Sequence, residues 1–334
     1  MSNPSKKVIE IDHYEKGVLS GDRIILSQAI TLVESNRVKD QEMAEVLIDR
    51  ILAKTGNSVR IGITGVPGVG KSTFIESFGL NLIEEGKSLA VLTIDPTSQI
   101  SRGSILGDKT RMEKLSVNPN AYIRPSASGE ALGGVTSRSR EAMLLCEAAG
   151  FDIVIIETVG VGQSETTVFG MVDFFLLLML AGAGDELQGM KRGIMEMADG
   201  IAITKADGDN IDKSELARAE FQSALHLMPP KPSGWTPSVT TCSAIENHGI
   251  SKIWGLINEH RNNLESKGLF TDFRKEQNLT WFRDMIQWQL NHSFMQHAAV
   301  RDSIHTIERQ VRSGSLAANA AAKALIQMYH SGPS

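Results

Sequence analysis

Cysteine is nearly absent from this chain of 334 residues: only Cys146 and Cys242 occur, far apart and outside any Cys-x-x-C spacing. A disulfide framework and a structural zinc site are thereby excluded, and a reducing compartment suits the chain. An excess of basic residues is also lacking. Thirty-four Lys and Arg stand against 39 Asp and Glu, for a net charge of −5. No general attraction to nucleic acid or anionic lipid follows, so any affinity for phosphate must be local. Long apolar runs are missing as well. Phe174 to Ala181, the longest, is far too short to cross a bilayer, and Met1 to Asp22 holds no apolar core of signal-peptide length. A cytoplasmic protein without nucleic-acid or membrane partners is expected. There is no internal repeat, low-complexity tract or long flexible linker.

What is present, 41% apolar and 22% charged residues, is enough to bury one sizeable α/β core with additions. After a polar start, Gly17 to Asp22 reads as a turn feeding a helix with Ile25, Ala29, Leu32 and Val33 on its apolar side. A second helix is expected from about Asp40 to Lys54, with Met43, Leu47 and Ile51 in one stripe and Gly56 as its stop. Beyond it, short and nearly continuous apolar runs alternate with helical segments: Val59–Thr64, Leu89–Ile94, Ile153–Ile156, Phe174–Leu180, Ile201–Thr204 and Val239–Cys242. That alternation predicts a mainly parallel sheet covered by helices on both faces. From Asn262 the pattern turns wholly helical. Leu279, Phe282, Ile286 and Leu290 form one stripe and Trp281, Met285 and Trp288 another, and a last helix is expected to open at Ser315. The expected organisation is a helical extension over 1–56, a nucleotide-binding domain over 57–262 and a helical arm over 263–334.

Ligands of such sheets sit beyond the carboxyl ends of the strands. After the first run comes Gly65-Val66-Pro67-Gly68-Val69-Gly70-Lys71-Ser72, then Thr73, which fits the phosphate-binding loop G-x-x-x-x-G-K-[ST]. The glycines let successive backbone N–H groups turn toward an anion, and the following helix points its positive end at the same place. Lys71 would reach the β- and γ-phosphates, and Ser72 would offer its hydroxyl to Mg2+. After a later strand, Thr204-Lys205-Ala206-Asp207 is close to the [NT]-K-x-D signature of guanine recognition. A carboxylate accepts from guanine N1–H and its 2-amino group, where adenine offers an acceptor instead of the first donor. Lys205 would pack along the base, and Ser243-Ala244, after the next strand, would meet the base edge through backbone groups. The implied ligands are GTP and GDP.

Three acids lie near the expected metal. Asp95 ends one run, Glu157 ends another, and Asp108 lies in the polar loop between Pro96 and Thr110, where it could equally cap a helix. With Ser72 and phosphate oxygens, one or two of them would complete an octahedral Mg2+ directly or through water. Glu157-Thr158-Val159-Gly160 stands where many GTPases carry Asp-x-x-Gly, with Gly160 able to donate to the γ-phosphate. Val161 occupies the place of a Ras-like glutamine, leaving Gln163 and Glu165 as candidates to position water. Arg102 and Arg111 are the candidate internal arginine fingers.

Three strings make a resemblance specific: Asp95-Pro96-Thr97-Ser98, the stretch from Gly103 to Met112, and the stretch from Glu157 to Glu165. They resemble the MeaB/ArgK family of P-loop GTPases, which are related to the metal-inserting chaperone GTPases and associated with adenosylcobalamin-dependent methylmalonyl-CoA mutase. The match runs from about Gly17 into the C-terminal tail. The resemblance implies a GTPase; with Val161 in the glutamine's place and arginines only in the loop of Arg102 and Arg111, turnover is expected to be slow alone and stimulated by a partner, with Lys71, Glu157 and Gln163 as catalytic candidates. It further implies a homodimer joined through the C-terminal helices, and a chaperone that gates cofactor loading and protects the mutase. It assigns Gly182 to Lys191 as a segment relaying nucleotide state, and its three glycines agree with mobility. Three alternatives stay open: a metal-insertion GTPase, although a His-rich N-terminus and Cys-x-Cys-Cys are missing; a transport-linked nucleotide-dependent kinase; and a nucleotide-dependent scaffold.

Overall fold

The apolar runs form the strands of one sheet. In this computed structural model, residues 11–94, 112–125, 132–158, 164–182 and 192–331 are described. Among them are seven parallel strands: β1 Val59–Gly65, β2 Leu89–Ile94, β3 Ala121–Pro125, β4 Ile153–Thr158, β5 Phe174–Leu180, β6 Gly200–Thr204 and β7 Ser238–Thr241. Their order is β3-β2-β4-β1-β5-β6-β7, which puts β1 in the middle of the sheet. The chain leaves β1 for one side, returns in β4 beside it, and then crosses to β5 on the other side. The crevice beyond the carboxyl end of β1 is therefore the topological switch point, where ligands of open α/β sheets bind. β3 was not among the expected strands: it is short, contains Arg124 and Pro125, and lies at the sheet edge, where a proline missing its N–H is tolerated.

The helices among the described residues begin with α1 Ile11–Leu19, α2 Arg23–Val33, α3 Val38–Ile51 and α4 Lys71–Glu84, followed by the single turn α5 Glu113–Ser116. They continue with α6 Leu132–Ala148, α7 Ser164–Phe169, α8 Arg192–Met197, α9 Ile211–His226 and α10 Ile250–Ser266. The last three are α11 Leu269–Gln296, α12 Ala298–Arg312 and α13 Ala318–Ser331. α1 replaces part of the expected polar start; its mostly polar sequence buries only Tyr14 and Val18, four residues apart on one face. Asp22 caps α2, accepting from the N–H groups of Ile24 at 2.8 Å and Ile25 at 3.1 Å. The last helix opens at Ala318 rather than at Ser315, whose hydroxyl instead donates to the Gln310 carbonyl at 3.1 Å.

Alternate residues of each buried strand enter different cores, which is why the runs read as continuously apolar. Val154, Ile156, Phe175 and Leu177 join Leu26, Ile30, Leu47 and Ile51 of α2 and α3 in one core. Ile153, Ile155, Leu176 and Leu178 join Phe74, Phe78 and Ile253 of α4 and α10 in the other. On β1, Gly62 leaves space that Phe175, Val168 and Val172 fill; a Cβ there would lie 2.8 Å from the first two. Close packing of this kind fixes the strand that carries the phosphate loop.

The amino end of the sheet is held by aspartates placed directly before strands. Asp152 accepts from the Ser88 N–H at 2.8 Å, Asp173 from Arg60 N–H at 2.8 Å and Asp199 from Phe175 N–H at 2.9 Å. Each carboxylate thus occupies a main-chain donor of a neighbouring strand or its approach. Around them, Arg60 donates to Glu147 through Nε at 2.7 Å and Nη2 at 2.9 Å, and Arg274 donates to Asp173 at 2.6 and 2.8 Å.

The chain divides into two compact units, residues 1–277 and 278–334, with α11 running through the division. Within the second unit α12 and α13 pair, Val300, Ile307 and Ala321 are buried, and Phe294 and His297 pack on Tyr329. Leu279, Phe282, Ile286 and Leu290 are exposed. No helix among the described residues is long and apolar enough to cross a membrane.

Candidate nucleotide site

The turn from β1 to α4 is built by backbone conformations that favour glycine. Gly68 and Gly70 have φ of 79° and 93°, and a Cβ on Gly65 would lie 2.5 Å from the Leu178 carbonyl oxygen of β5. The first intrahelical bond of α4 runs from the Phe74 N–H to the Gly70 carbonyl at 2.9 Å. The N–H groups of Lys71, Ser72 and Thr73 lie ahead of it, at the positive end of the helix, as free donors for an anion. Lys71 folds back over the loop, its Nζ donating to the carbonyls of Gly65 at 2.7 Å and Val66 at 3.4 Å. Burial lowers the Lys71 pKa, opposed by the nearby carboxylates Glu157 and Glu165. A half-buried cation hydrogen-bonded to neutral carbonyls, beside a row of amide donors, is an arrangement that a phosphate group fits.

The strand ends beside the loop hold it from below. Thr204, the last residue of β6, donates its hydroxyl to the Val69 carbonyl at 2.7 Å. Thr64 of β1 and Thr158 of β4 share a hydroxyl hydrogen bond of 2.8 Å. Glu157 is buried at the end of β4, in register with Ile63 of β1 and Thr93 of β2. Ser72 and Glu157 therefore lie on the elements flanking the loop, and their oxygens suit a hard cation such as Mg2+. Asp95, Asp108, Gly160 and Gln163 lie outside the described residues, as do Arg102, Arg111 and the segment from Ala183 to Lys191.

The candidate base-recognition residues follow the adjoining strands β6 and β7. Lys205 has φ of 56° and donates its Nζ to the Gly68 carbonyl at 2.8 Å, joining the two motifs directly. Asn210 donates to the Lys205 carbonyl at 2.7 Å and Ala206 N–H to the Cys242 carbonyl at 3.0 Å, so this unusual backbone is braced from both sides. Asp207 accepts from the Ser243 hydroxyl at 2.6 Å, and that hydroxyl in turn accepts from Glu246 N–H at 3.1 Å. Val66, Pro67 and Val69 complete the phosphate loop, and Ala244 follows Ser243 at the rim. Residues 65–73, 204, 205, 207, 243 and 244 are thus brought to one end of the sheet.

Two contributors were not singled out from sequence. One is the Thr64–Thr158 pair, hidden because threonine ending a strand is unremarkable. The other is Asn247, whose φ of 53° and position two residues before Gly249, itself at φ 73°, form an Asn-x-Gly turn signal.

The geometry agrees with the relatives of the chain. The family model for MeaB, described as a methylmalonyl Co-A mutase-associated GTPase, matches residues 26–299. GTPase ArgK of Escherichia coli is 50% identical over 275 residues, 82% of this chain and 83% of that protein. The mitochondrial methylmalonic aciduria type A homolog of Mus musculus is 44% identical over 331 residues, 96% of this chain and 80% of its own length. A solved structure described as a LAO/AO transport system kinase superposes with a TM-score of 0.74 at 36% identity, covering 99% of this chain and 100% of that one. A parallel sheet with a phosphate loop at its switch point and a guanine-type motif beside it is the fold of a P-loop GTPase, and this chain belongs to the MeaB family.

Proposed function

We propose that the protein hydrolyses GTP as the timing step of a chaperone for adenosylcobalamin-dependent methylmalonyl-CoA mutase, gating cofactor loading and protecting that enzyme. The observation that carries the reading is the direct joining of the two motifs, Lys205 Nζ on the Gly68 carbonyl at 2.8 Å, which supports one ligand reaching both the base and the phosphate sites. The description of the matching family as mutase-associated supports the mutase as partner.

In this reading, the triphosphate lies along residues 65–73, with the N–H groups ahead of Phe74 and the Lys71 ammonium balancing charge on the transferring phosphoryl group. Lys71 would exchange its carbonyl partners for phosphate oxygens, which are better acceptors for a cation. Asp207 would read guanine N1–H and the 2-amino group, with Lys205 along the base and Ser243-Ala244 at its edge. Mg2+ bound by Ser72, with Glu157, Asp95 or Asp108 directly or through water, would neutralise charge on the β- and γ-phosphates. Gln163 or Glu165 would orient the attacking water, and Gly160 would donate to the γ-phosphate. Without a Ras-like glutamine at Val161, turnover is expected to be slow alone. The C-terminal helices, with their exposed stripe from Leu279 to Leu290, would join two copies.

GTP turnover measured alone and with purified methylmalonyl-CoA mutase tests the proposal. Turnover should rise at least severalfold with the mutase, and the two proteins should co-elute in a nucleotide-dependent way. Equal rates and separate elution would remove the chaperone reading. Likeness to a structure described as a transport system kinase favours a second reading, a kinase. Labelled γ-phosphate appearing on protein rather than as inorganic phosphate would establish it.

A further inference from the structure

Lys205 and Asn247 are the two residues other than glycine with positive φ among the described residues, and both flank the base site. Lys205 belongs to the recognised motif. Asn247 does not; asparagine tolerates a left-handed backbone better than lysine does, and here that backbone is accompanied by side-chain bonds that tie the turn down. The Asn247 Oδ1 accepts from Asn81 Nδ2 at 2.9 Å and from the Ser77 hydroxyl at 3.0 Å, while its Nδ2 donates to Asn81 Oδ1 at 3.1 Å. Ser77 and Asn81 are one turn apart on α4, the helix that begins at the phosphate loop. The two amides therefore pair reciprocally across 166 positions of sequence.

The loop that Asn247 hooks is the one that sets Asp207. It is closed by a double backbone bond between Ser243 and His248, at 2.9 and 3.0 Å, and Gly249 follows in a left-handed conformation where a Cβ would strike the Thr241 carbonyl. Within it, Glu246 N–H donates to the Ser243 Oγ at 3.1 Å. With the Glu246 N–H on one lone pair, the hydroxyl rotor is biased to direct its single proton at Asp207 Oδ2, 2.6 Å away. Glu246 is the neighbour of Asn247, so a shift of Asn247 moves the N–H that orients Ser243.

We infer that Asn247 is a positioning residue for base selection: hooked to α4 through Asn81 and Ser77, it holds the Glu246 N–H that aims the Ser243 hydroxyl at Asp207. The helix that presents the phosphate loop and the loop that orients the base-reading carboxylate are thereby one mechanical unit. The inference rests on Asp207 reading guanine, as proposed above, and goes beyond it by naming what fixes the carboxylate.

The test compares GDP with IDP, which lacks the 2-amino group, by equilibrium binding to the full chain. Asn247→Gly keeps the left-handed backbone available and removes the hook; Asn81→Ala removes the hook from the other side. Both should lower the preference for GDP over IDP by roughly fivefold to tenfold, the scale of one hydrogen bond, with IDP affinity within about twofold of wild type. A merely structural role would weaken GDP and IDP in parallel, and that result, or an unchanged ratio in both variants, overturns the inference. Asp207→Asn serves as the separate control, since its amide can donate to the 2-oxo group of xanthine and should favour XDP. If Asp207→Asn shows no such switch, the base reading itself fails. If it switches while Asn247→Gly and Asn81→Ala keep the wild-type ratio, only the hook is refuted.

Discussion

The two ends of the sheet are both rich in charge, yet they use it in opposite ways. At the amino end, acids meet bases and main-chain donors: Arg60 pairs with Glu147, Arg274 with Asp173, and Lys231 with Asp199 at 2.5 Å, all with side chains largely withdrawn from solvent. At the carboxyl end, the cations Lys71 and Lys205 rest on carbonyl oxygens of Gly65, Val66 and Gly68. A buried ion pair with every polar atom matched resists change, because removing one partner strands the other. A cation on neutral carbonyls is held in place but can trade those partners for a ligand at little cost. Left-handed glycines occur at both ends, Gly56, Gly86 and Gly150 ahead of strands at the amino end among them, but Lys205 and Asn247, the two other residues with positive φ among the described residues, both stand at the nucleotide end. One end holds the strands together and the other is arranged for exchange.

The sharpest way to break this contrast is at Lys71. Lys71→Ala removes the cation that an arriving γ-phosphate would meet, while the hydrogen bonds given up are those to the carbonyls of Gly65 and Val66. GTP turnover is expected to fall by a factor on the order of 10³ and GTP affinity to weaken, with the urea midpoint nearly unchanged. A variant that turns over GTP normally would end the assignment of the loop. One that unfolds would show that Lys71 belongs to the structural class of charges after all.

The complementary substitution is Asp173→Ala at the amino end. It strands Arg274, which also donates to the Ser58 carbonyl at 2.7 Å, and leaves Arg60 N–H without its acceptor. Loss of a buried charge partner costs about 3–5 kcal/mol, read as a lowered urea midpoint. The GDP-to-IDP preference of the remaining folded protein should be that of wild type. A stability loss below about 1 kcal/mol would mean that the pair behaves as a surface ion pair and that the ends of the sheet are not so different.

The nucleotide end was the more legible of the two in sequence. Its residues are contiguous in short strings because a loop and a helix start must present successive N–H groups to one anion, and Gly65 to Ser72 does so within eight positions. The β1, β2 and β5 runs were equally plain, since strands buried on both faces leave no polar alternation to confuse them. What stayed hidden depends on pairings across long stretches of chain. Asn247 meets Asn81, Arg274 meets Asp173, and nothing local in either partner marks the other. The edge strand β3 escaped because it satisfies only one neighbour and carries Pro125. The aspartates at 152, 173 and 199 could have been read: each immediately precedes an apolar run, a pattern whose reason is a neighbouring N–H that needs an acceptor.

The smallest effect expected concerns His260 of α10, which brings a titrating group into the otherwise settled amino end. Its ring is buried edge-on against Phe174 and Trp235, with centroids 5.3 and 5.0 Å away. Burial pushes its pKa below the ordinary 6.5; Asp199, 3.8 Å away, and Asp173 pull it upward, while Lys231 works with burial. The sign follows from proton counting. As pH falls through 6.5, the unfolded chain binds a proton at this position before the folded one does, so the folded state loses stability until its own lower pKa is reached. Full stability from this group is thus present above pH 6.5 and declines below it. His260→Phe keeps an aromatic ring against Phe174 and Trp235 but cannot titrate. Urea midpoints measured at about pH 7.5, 6 and 5 should fall less steeply with acid for His260→Phe than for wild type, by a difference of less than about 1 kcal/mol. Parallel curves would show that Asp199 offsets the burial of His260 and that even the titrating group at this end is fully matched. A steeper fall in the variant would reverse the sign, making the imidazolium a stabilising partner of Asp199 and the amino end a place where charge is exchanged with the solvent.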